Sequence, residues 1–325
     1  MVAFTPIADI LDGKADGNVK IRGWIYRSRS SGKLSFVVVR DSTGIIQCAV
    51  KKGAVSDEHF EGANKALLES AVIVDGTVKK DERAPGGYEL VASAFYVLHF
   101  SEIFPISKDQ STEFLLDVRH LWLRSRELTA AMKIKAVVLD EIRAFCKTEG
   151  FIETTPPILS SSSAEGGSTL FEVPYFGKKA FLSQSAQLHL EALIFSLEKV
   201  YAITPSFRAE KSRTTKHLTE YWHFEGEAAH YSHEEIMAFE ENLVASVCQR
   251  VAKDCQKELA VLNRNPAELS KIKAPFPKMT YAHAVAALQK KGFSFKQGND
   301  FGADEEAALT ADLDQPVFIT HFPAN

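Results

Sequence analysis

The sequence predicts an α+β protein whose N-terminal part is a small β-barrel. Five short runs rich in β-branched and aromatic residues occupy residues 19–100, with turn-forming residues between them. Beyond them, apolar residues recur at helical spacing over residues 126–149. A charged hairpin with apolar strands follows at residues 200–225. A chain of 325 residues has room for roughly two domains.

The composition is ordinary for a globular protein, with 45% hydrophobic and 25% charged residues. No apolar run is long enough to cross a membrane, and the N-terminus lacks the basic segment of a signal peptide. We therefore expect a cytoplasmic protein with no membrane partner. The cysteines are scattered and form no C-x-x-C pair, which favours buried free thiols over a zinc site or disulfides. They are Cys48, Cys146, Cys248 and Cys255.

The charge is unevenly distributed along the chain. The whole chain has a net charge of −4, but residues 1–52 contain nine Lys and Arg against four Asp, a local charge of +5. A basic N-terminal region on an acidic chain suits a polyanion that binds one face of the molecule. A solvated surface would have the same composition, so charge alone leaves this point open.

The first hundred residues favour an OB-type barrel. A helical segment at residues 57–70 interrupts the strands, and five strands with one helix in this length are typical of that fold, which often holds single-stranded nucleic acid. The predicted strands are residues 19–26, 34–40, 45–51, 71–78 and 88–97. Phe36 and Gln47 lie on neighbouring strands, as a stacking platform and an edge reader for an unpaired base would. Without further information, a strand phenylalanine is more often a core residue.

The segment after the barrel changes character. Residues 101–117 are polar and irregular, which indicates a hinge. The helix over residues 126–149 is stopped by Gly150, and a short strand follows, with Pro157 close behind it. Residues 160–167 are small and polar, with Glu165 near their end. Such a stretch could be a lid that closes over a substrate or a plain linker.

The hairpin carries the residues best suited to a nucleoside triphosphate. Arg208 and Glu210 are two apart on the first strand and are expected to share a face, as are Tyr221, His223 and Glu225 on the second. Arg208 could grip a phosphate bidentately and His217 could approach the phosphate tail. Tyr221 could stack on a base and Glu210 could accept from an exocyclic amine. An exposed, salt-bridged hairpin is the alternative.

The hairpin sequence F-R-A-E, followed by a loop and H-L-T-E-Y, resembles motif 2 of class II aminoacyl-tRNA synthetases of the aspartate/asparagine subgroup. The helix, Gly150, strand and Pro157 resemble motif 1, which implies a homodimer. The resemblance implies an OB-fold anticodon-binding domain at residues 1–100, a hinge at 101–117 and a class II antiparallel-sheet catalytic domain at 118–325. It also implies that the small, polar stretch is a lid whose Glu165 meets the amino group of the substrate.

The barrel segments K-L-S-F-V-V-V-R-D and Q-C-A-V resemble the anticodon-binding barrel of the same enzymes. The resemblance implies that Phe36 stacks on the central anticodon base, that Gln47 reads it and that Glu89 assists. That base is a uridine in the tRNAs for both aspartate and asparagine. The barrel is therefore not expected to tell these two tRNAs apart by this base.

The resemblance also predicts the amino acid. Gln184 and Gln187 would bracket a small polar substrate, and aspartate enzymes have a Lys where this chain has Leu190. They also have an Asp where this chain has Glu225, which can accept from a side-chain NH2 and repel a carboxylate. With Arg213 in the motif 2 loop, these differences favour asparagine. An aspartate enzyme, one that charges both tRNAs, and a non-catalytic tRNA-binding paralogue remain alternatives. A related amide-forming asparagine synthetase fits less well, because those relatives lack the barrel.

The resemblance implies a ligase that activates asparagine with ATP and Mg²⁺ and passes it to tRNA(Asn), with Arg208 stabilising charge at the α-phosphate. Motif 3 is absent and the sequence stops at H-F-P-A-N, so we expect an incomplete catalytic domain whose metal ligands would lie beyond residue 325. No metal ligand is assigned within the sequence. Residues 1–325 alone are expected to be inactive or poorly stable, which asparagine-dependent pyrophosphate exchange would contradict.

Overall fold

The computed structural model describes residues 3–161, 170–211 and 217–324. The chain divides into two compact units, Met1–Trp122 and Leu123–Asn325. The strands are β1 Asn18–Ser31, β2 Leu34–Arg40, β3 Ile45–Lys51, β4 Ala71–Lys80, β5 Tyr88–His99, β6 Ile152–Glu153, β7 Leu159–Ser160, β8 Glu172–Tyr175, β9 Lys178–Leu182, β10 Lys199–Phe207, β11 Glu220–Ala228, β12 Lys278–Thr280 and β13 Phe318–Thr320. The helices are α1 Ile7–Leu11, α2 Asp57–Lys65, α3 Thr112–Asp117, α4 Arg119–Trp122, α5 Arg126–Thr148, α6 Gln187–Leu197, α7 His233–Asp254, α8 Gln256–Val261, α9 Pro266–Ser270, α10 Tyr281–Lys290 and α11 Ala303–Thr310.

The first unit contains a closed five-stranded barrel in the order β1-β2-β3-β5-β4. Neighbouring strands are antiparallel except β3 and β5, which run parallel, as in an OB-fold. Period-two alternation sends one set of side chains inward, among them Ile21, Val37 and Leu90, which are fully buried. The predicted barrel is therefore confirmed.

The long strand β1 closes the barrel because it pairs with both β2 and β4. A register shift between Ile25 and Arg27 bends it. Gly23 precedes this bend, and a Cβ there would lie 2.1 Å from the carbonyl oxygen of Arg40. No other residue fits this close approach of two backbones without a shift. The predicted strand 19–26 was too short, because β1 continues through its charged end to Ser31.

Two sequence-based expectations for the connecting elements need correction. The predicted hinge is not irregular throughout, because α3 forms its last part, with Ser111 accepting a hydrogen bond from the amide of Phe114 at 3.2 Å. The helical segment expected at residues 57–70 ends earlier, at Lys65. Strand β4 begins at Ala71, so the apolar residues between Lys65 and Ala71 lie in the turn that connects the helix to this strand.

The second unit is built around the hairpin of β10 and β11. These strands pair from Lys199 opposite Ala228 to Phe207 opposite Glu220, and β6 adds to β10 in parallel. Helix α6 covers one face of the hairpin through a small core of Ala186, Leu190, Val200 and Ala202. The opposite face, with Tyr201, Ile203 and Phe224, packs against residues of α5 and α7 and against Phe151. The hairpin is thus held from both sides.

The long helices of this unit lie where the apolar residues recur at helical spacing. Helix α5 begins as predicted at Arg126, after the capping residue Ser125. It ends at Thr148, one residue before the predicted end. Residues 234–259, whose apolar spacing in the sequence is also helical, form two helices, α7 and α8, which divide at Cys255. Strands β12 and β13 pair in parallel, and helices α10 and α11 pack around Tyr281 and Leu288.

Cysteine chemistry follows the expectation from the sequence. The four cysteines are free; Cys48, Cys146 and Cys255 are buried and Cys248 is partly buried. Burial raises the pKa of the Cys146 thiol to about 12, so the thiol is protonated and unreactive at neutral pH. In the described ranges, no helix combines the length and the apolar character that a membrane crossing requires.

Candidate functional site

The hairpin places one row of polar side chains on the face that α6 covers. Tyr221, His223 and Glu225 alternate along β11, and they pair with Ser206, Thr204 and Ala202 of β10. Because Ala202 packs under α6, the row runs from beneath that helix towards the hairpin loop. The predicted shared face of Tyr221, His223 and Glu225 is confirmed.

Arg208 lies at the outer end of this row. Its amide donates to the carbonyl of Thr219 at 2.9 Å, and its guanidinium carbon lies 5.5 Å from the centre of the Tyr221 ring. The side chain is exposed, so it combines a free charge with a fixed orientation against the ring. A guanidinium and an aromatic face at this spacing can hold a phosphate and a base of one nucleotide.

Glu210 does not sit on the first strand, contrary to the expectation from spacing. Strand β10 ends at Phe207, so Arg208 and Glu210 lie just beyond it. Both nevertheless line a small cavity of about 30 Å³ together with His217, Leu218 and Thr219. The grouping of Arg208, Glu210 and His217 therefore comes from the two ends of the loop and not from strand alternation. Arg213 lies outside the described residues, as does Glu165.

Glu225 is the most strongly anchored carboxylate of the site. Its Oε1 accepts a hydrogen bond from the Ser185 hydroxyl, and its Oε2 accepts from the amide of Ala186 at 2.8 Å and lies 3.2 Å from Nδ1 of His223. Burial acts to raise the pKa of Glu225, but the hydrogen bonds from His223, Ser185 and Ala186 hold it below its ordinary value. The group is thus a partly buried, ionised acceptor at the start of α6.

The residues predicted to bind the amino acid lie on α6 or just before it, and they differ in their surroundings. Gln184 is buried, with 7% of its surface exposed. Gln187 is the first residue of α6, and its Nε2 donates to Oε1 of Glu191 at 2.9 Å. Leu190 is fully buried in the core between α6 and the hairpin. Leu190 therefore fills with hydrocarbon the position where the resemblance implies a cation in aspartate enzymes.

Sequence reasoning missed a second carboxylate on the same face. Glu227 follows Glu225 by two residues on β11, and burial, then Glu191 and Glu225, raise its pKa. Two signals in the sequence could have indicated it: the period-two pair E-x-E at residues 225–227 and the i, i+4 pair Gln187 and Glu191. Ser185 was also missed, because its contact with Glu225 joins residues 40 apart.

A separate candidate site lies on the outer surface of the barrel. Gln47 and Glu89 are register partners of β3 and β5, and Nε2 of Gln47 donates to Oε2 of Glu89 at 2.7 Å. Glu89 is buried, so this bond orients the amide of Gln47. On the neighbouring strand, Phe36 is half-buried and the guanidinium carbon of Arg29 lies 4.6 Å from its ring centre. Ring, amide and cation are the groups that an unstacked base would need, as a platform and an edge reader.

Two family models match this chain. One described as "tRNA synthetases class II (D, K and N)" matches residues 111–325, and one described as "OB-fold nucleic acid binding domain" matches residues 19–98. The chain belongs to the class II tRNA synthetase family (D, K and N), joined to an OB-fold domain. The family and the enzyme class predicted from motif 2 are therefore confirmed.

The similar curated proteins and solved structures carry a more specific name. The chain is 47% identical over 305 residues to the asparagine--tRNA ligase of Thermoplasma acidophilum, covering 94% of this chain and 71% of that protein. It is 46% identical to that of Thermococcus gammatolerans, covering 97% and 73%. It matches the asparaginyl-tRNA synthetase of Pyrococcus horikoshii complexed with asparaginyl-adenylate with a TM-score of 0.93 at 44% identity, covering 99% and 75%.

Proposed function

We propose that this protein activates asparagine with ATP and then transfers the asparaginyl group to tRNA(Asn). The observation that carries the choice of amino acid is the anchored, ionised Glu225, held by Ser185, Ala186 and His223. A partly buried anion accepts a hydrogen bond from a neutral carboxamide and repels the carboxylate of aspartate. The similar curated proteins are named asparagine--tRNA ligase, which supports this choice of amino acid.

The activation step is an in-line displacement. The asparagine carboxylate attacks the α-phosphate, a bond to the carboxylate oxygen forms, and pyrophosphate leaves. Arg208 would stabilise the charge on the α-phosphate, and Tyr221 would stack on the adenine. Glu210 would accept from the adenine amine and His217 would approach the phosphate tail, with Arg213 adding charge from the loop. The protein contributes orientation and electrostatics, with no covalent protein intermediate.

We propose that Mg²⁺ enters with the phosphates of ATP. The described residues bring no three His, Cys, Asp or Glu side chains together as a metal cage. The described part of the chain therefore does not fit a metal held by the protein alone. A Mg²⁺ ion that keeps phosphate and water ligands needs few protein carboxylates.

The barrel would select the tRNA at the centre of its anticodon. Phe36 would stack on the central uridine, Gln47 would read its edge, and Glu89 would hold the amide of Gln47 in one orientation. We also propose a homodimer formed through α5 and the strand that follows it, which sedimentation equilibrium would test. The place of tRNA charging in protein synthesis supports a location in the cytoplasm.

The experiment that tests the amino acid is pyrophosphate exchange by the protein. Asparagine should support exchange and aspartate should not, at equal concentrations of each. Preference for aspartate would indicate an aspartate enzyme, and equal rates would indicate one without discrimination. Tight binding of tRNA(Asn) with no exchange by either amino acid would indicate the non-catalytic paralogue. Gln184 and Gln187 should then be probed for their part in asparagine affinity.

A further inference from the structure

His223 occupies the middle of the polar row on β11. It lies between Tyr221, whose ring centre is 5.3 Å from the imidazole centre, and the anchored Glu225. Its side chain retains 29% of its surface exposed, whereas that of Glu225 retains 13%. The imidazole thus stands between the proposed nucleotide end and the proposed amino-acid end of the site, and part of it faces open space.

The neighbours of Nδ1 determine where the imidazole proton lies. Nδ1 is 3.2 Å from Oε2 of Glu225 and 3.2 Å from the hydroxyl of Ser206. An ionised carboxylate only accepts hydrogen bonds, so Nδ1 must donate to it. The neutral imidazole is therefore held with its proton on Nδ1, as a carboxylate holds a histidine in many metal and catalytic sites.

The other ring nitrogen is consequently an acceptor. With the proton on Nδ1, the Nε2 atom of neutral His223 carries a lone pair. Within the described parts of the chain, the hydrogen bonds and ion pair of the imidazole are those of Nδ1. Nε2 is thus available to a ligand on the face that also carries Glu225.

We propose that His223 is a specificity-determining residue whose Nε2 accepts a hydrogen bond from the side-chain NH2 of asparagine. This inference rests on the proposed function and deepens it. A carboxamide has two N–H groups, and Glu225, with three donors already bound, has room for few more. His223 supplies the second acceptor. The side-chain carboxylate of aspartate has no proton to donate, so it meets a lone pair in front of a fixed negative charge.

Two substitutions separate this role from mere support of Glu225. In His223→Asn, the side-chain amide nitrogen of the new residue takes the position of Nδ1. This variant therefore keeps a donor for Glu225 and removes the acceptor at Nε2. His223→Gln reaches the position of Nε2 and removes the donor for Glu225. The probes are the sulfamoyl-adenosine analogues of asparaginyl-, aspartyl- and alanyl-adenylate, titrated calorimetrically into the full chain. The alanyl analogue is the matched control, because it lacks the side-chain amide.

For His223→Asn we expect the Kd of the asparaginyl analogue to rise roughly tenfold, the scale of one lost hydrogen bond. The Kd of the alanyl analogue should remain within about twofold, and His223→Gln should retain part of the preference for the asparaginyl analogue. Wild-type affinity for the asparaginyl analogue in His223→Asn would overturn the proposal, as would equal loss for the alanyl analogue. Absence of asparaginyl preference in the unmodified protein would instead contradict the proposed function.

A spectroscopic measurement keeps the proposal testable if a variant fails to fold. When the ring of His223 is neutral, its ¹⁵N chemical shifts in the unmodified protein should show a protonated Nδ1 and an unprotonated Nε2. Glu225→Gln should weaken this tautomer preference, because an amide can donate as well as accept. A proton on Nε2 in the unmodified protein would overturn the proposal.

Discussion

At the scale of single residues, two carboxylates on one strand face have opposite electrostatic situations. Glu225 receives three hydrogen bonds that hold its pKa below the ordinary value, whereas Glu227 has its pKa raised by burial and by nearby Glu191 and Glu225. The difference follows from the donors of the segment before α6, which reach Glu225 only. The first carboxylate is therefore suited to permanent charge and the second to easy protonation.

Glu225→Gln should lower the preference for asparagine over aspartate roughly 10- to 100-fold. A neutral glutamine removes the negative charge that repels the aspartate carboxylate. The ratio of kcat/KM for the two amino acids in pyrophosphate exchange measures this effect. Glu234→Gln, an exposed change in the first turn of α7, is the control and should leave the ratio unchanged. An unaltered ratio in Glu225→Gln would exclude Glu225 as the discriminating charge.

The opposite pKa shifts predict opposite pH dependences of stability. A carboxylate whose pKa is lower in the folded state stabilises the protein at pH values above the unfolded pKa, and this stabilisation is lost as pH falls through the folded pKa. The stability cost of Glu225→Gln should therefore shrink below about pH 4. A raised folded pKa destabilises the protein at pH values above it. Glu227→Gln should therefore raise Tm at pH 8, with a gain that vanishes in acid. Thermal unfolding of both variants and the unmodified protein from pH 8 to about pH 2 measures the two trends.

At the scale of elements, α6 joins the site to the core. The amide of Ala186, just before its first turn, donates to Glu225, and Leu190 one turn later packs on the hairpin. A carboxylate at this end of a helix is also favoured by the helix dipole. The position and the charge of the amino-acid pocket therefore depend on how this helix docks.

Leu190→Lys should shift the exchange preference toward aspartate and lower Tm, because the new ammonium is buried against the hydrocarbon of Ala186, Val200 and Ala202. Leu190→Met is the volume-matched control and should cost less than about 1.5 kcal/mol. The exchange ratio and thermal unfolding are measured together. A stable Leu190→Lys protein with unchanged preference would show that this position has no part in selecting the amino acid.

At the scale of the whole molecule, each unit carries one candidate site. The barrel presents Phe36 and the Gln47–Glu89 pair on its outer surface, and the second unit presents the polar row of the hairpin. The aspartyl-tRNA synthetase of Entamoeba histolytica has the same fold, with a TM-score of 0.82 at 22% identity, covering 99% of this chain and 71% of that one. The fold is therefore common to enzymes named for different amino acids, and individual side chains must carry the specificity.

Phe36→Ala should weaken binding of tRNA(Asn) by roughly 10- to 100-fold, the scale of one lost base stack. Fluorescence anisotropy with a labelled transcript measures it. A transcript with its central anticodon base changed should bind the unmodified protein weakly, and Phe36→Ala should weaken it little further. Exposed Phe100→Ala is the control for loss of an aromatic ring elsewhere in the first unit. Equal losses for both transcripts would place Phe36 outside base recognition.

The sequence by itself determined the barrel, the hairpin and the row of Tyr221, His223 and Glu225, because strand alternation and turn chemistry are local properties. Recognisable motifs also defined the family. Only the tertiary structure decided which partners each site residue has: Ser185 reaches Glu225 across 40 residues, and Gln47 reaches Glu89 across 42. It also ended β10 before Glu210 and buried Leu190. These outcomes depend on docking of α6 and closure of the barrel, which bring together residues whose contacts no local pattern contains.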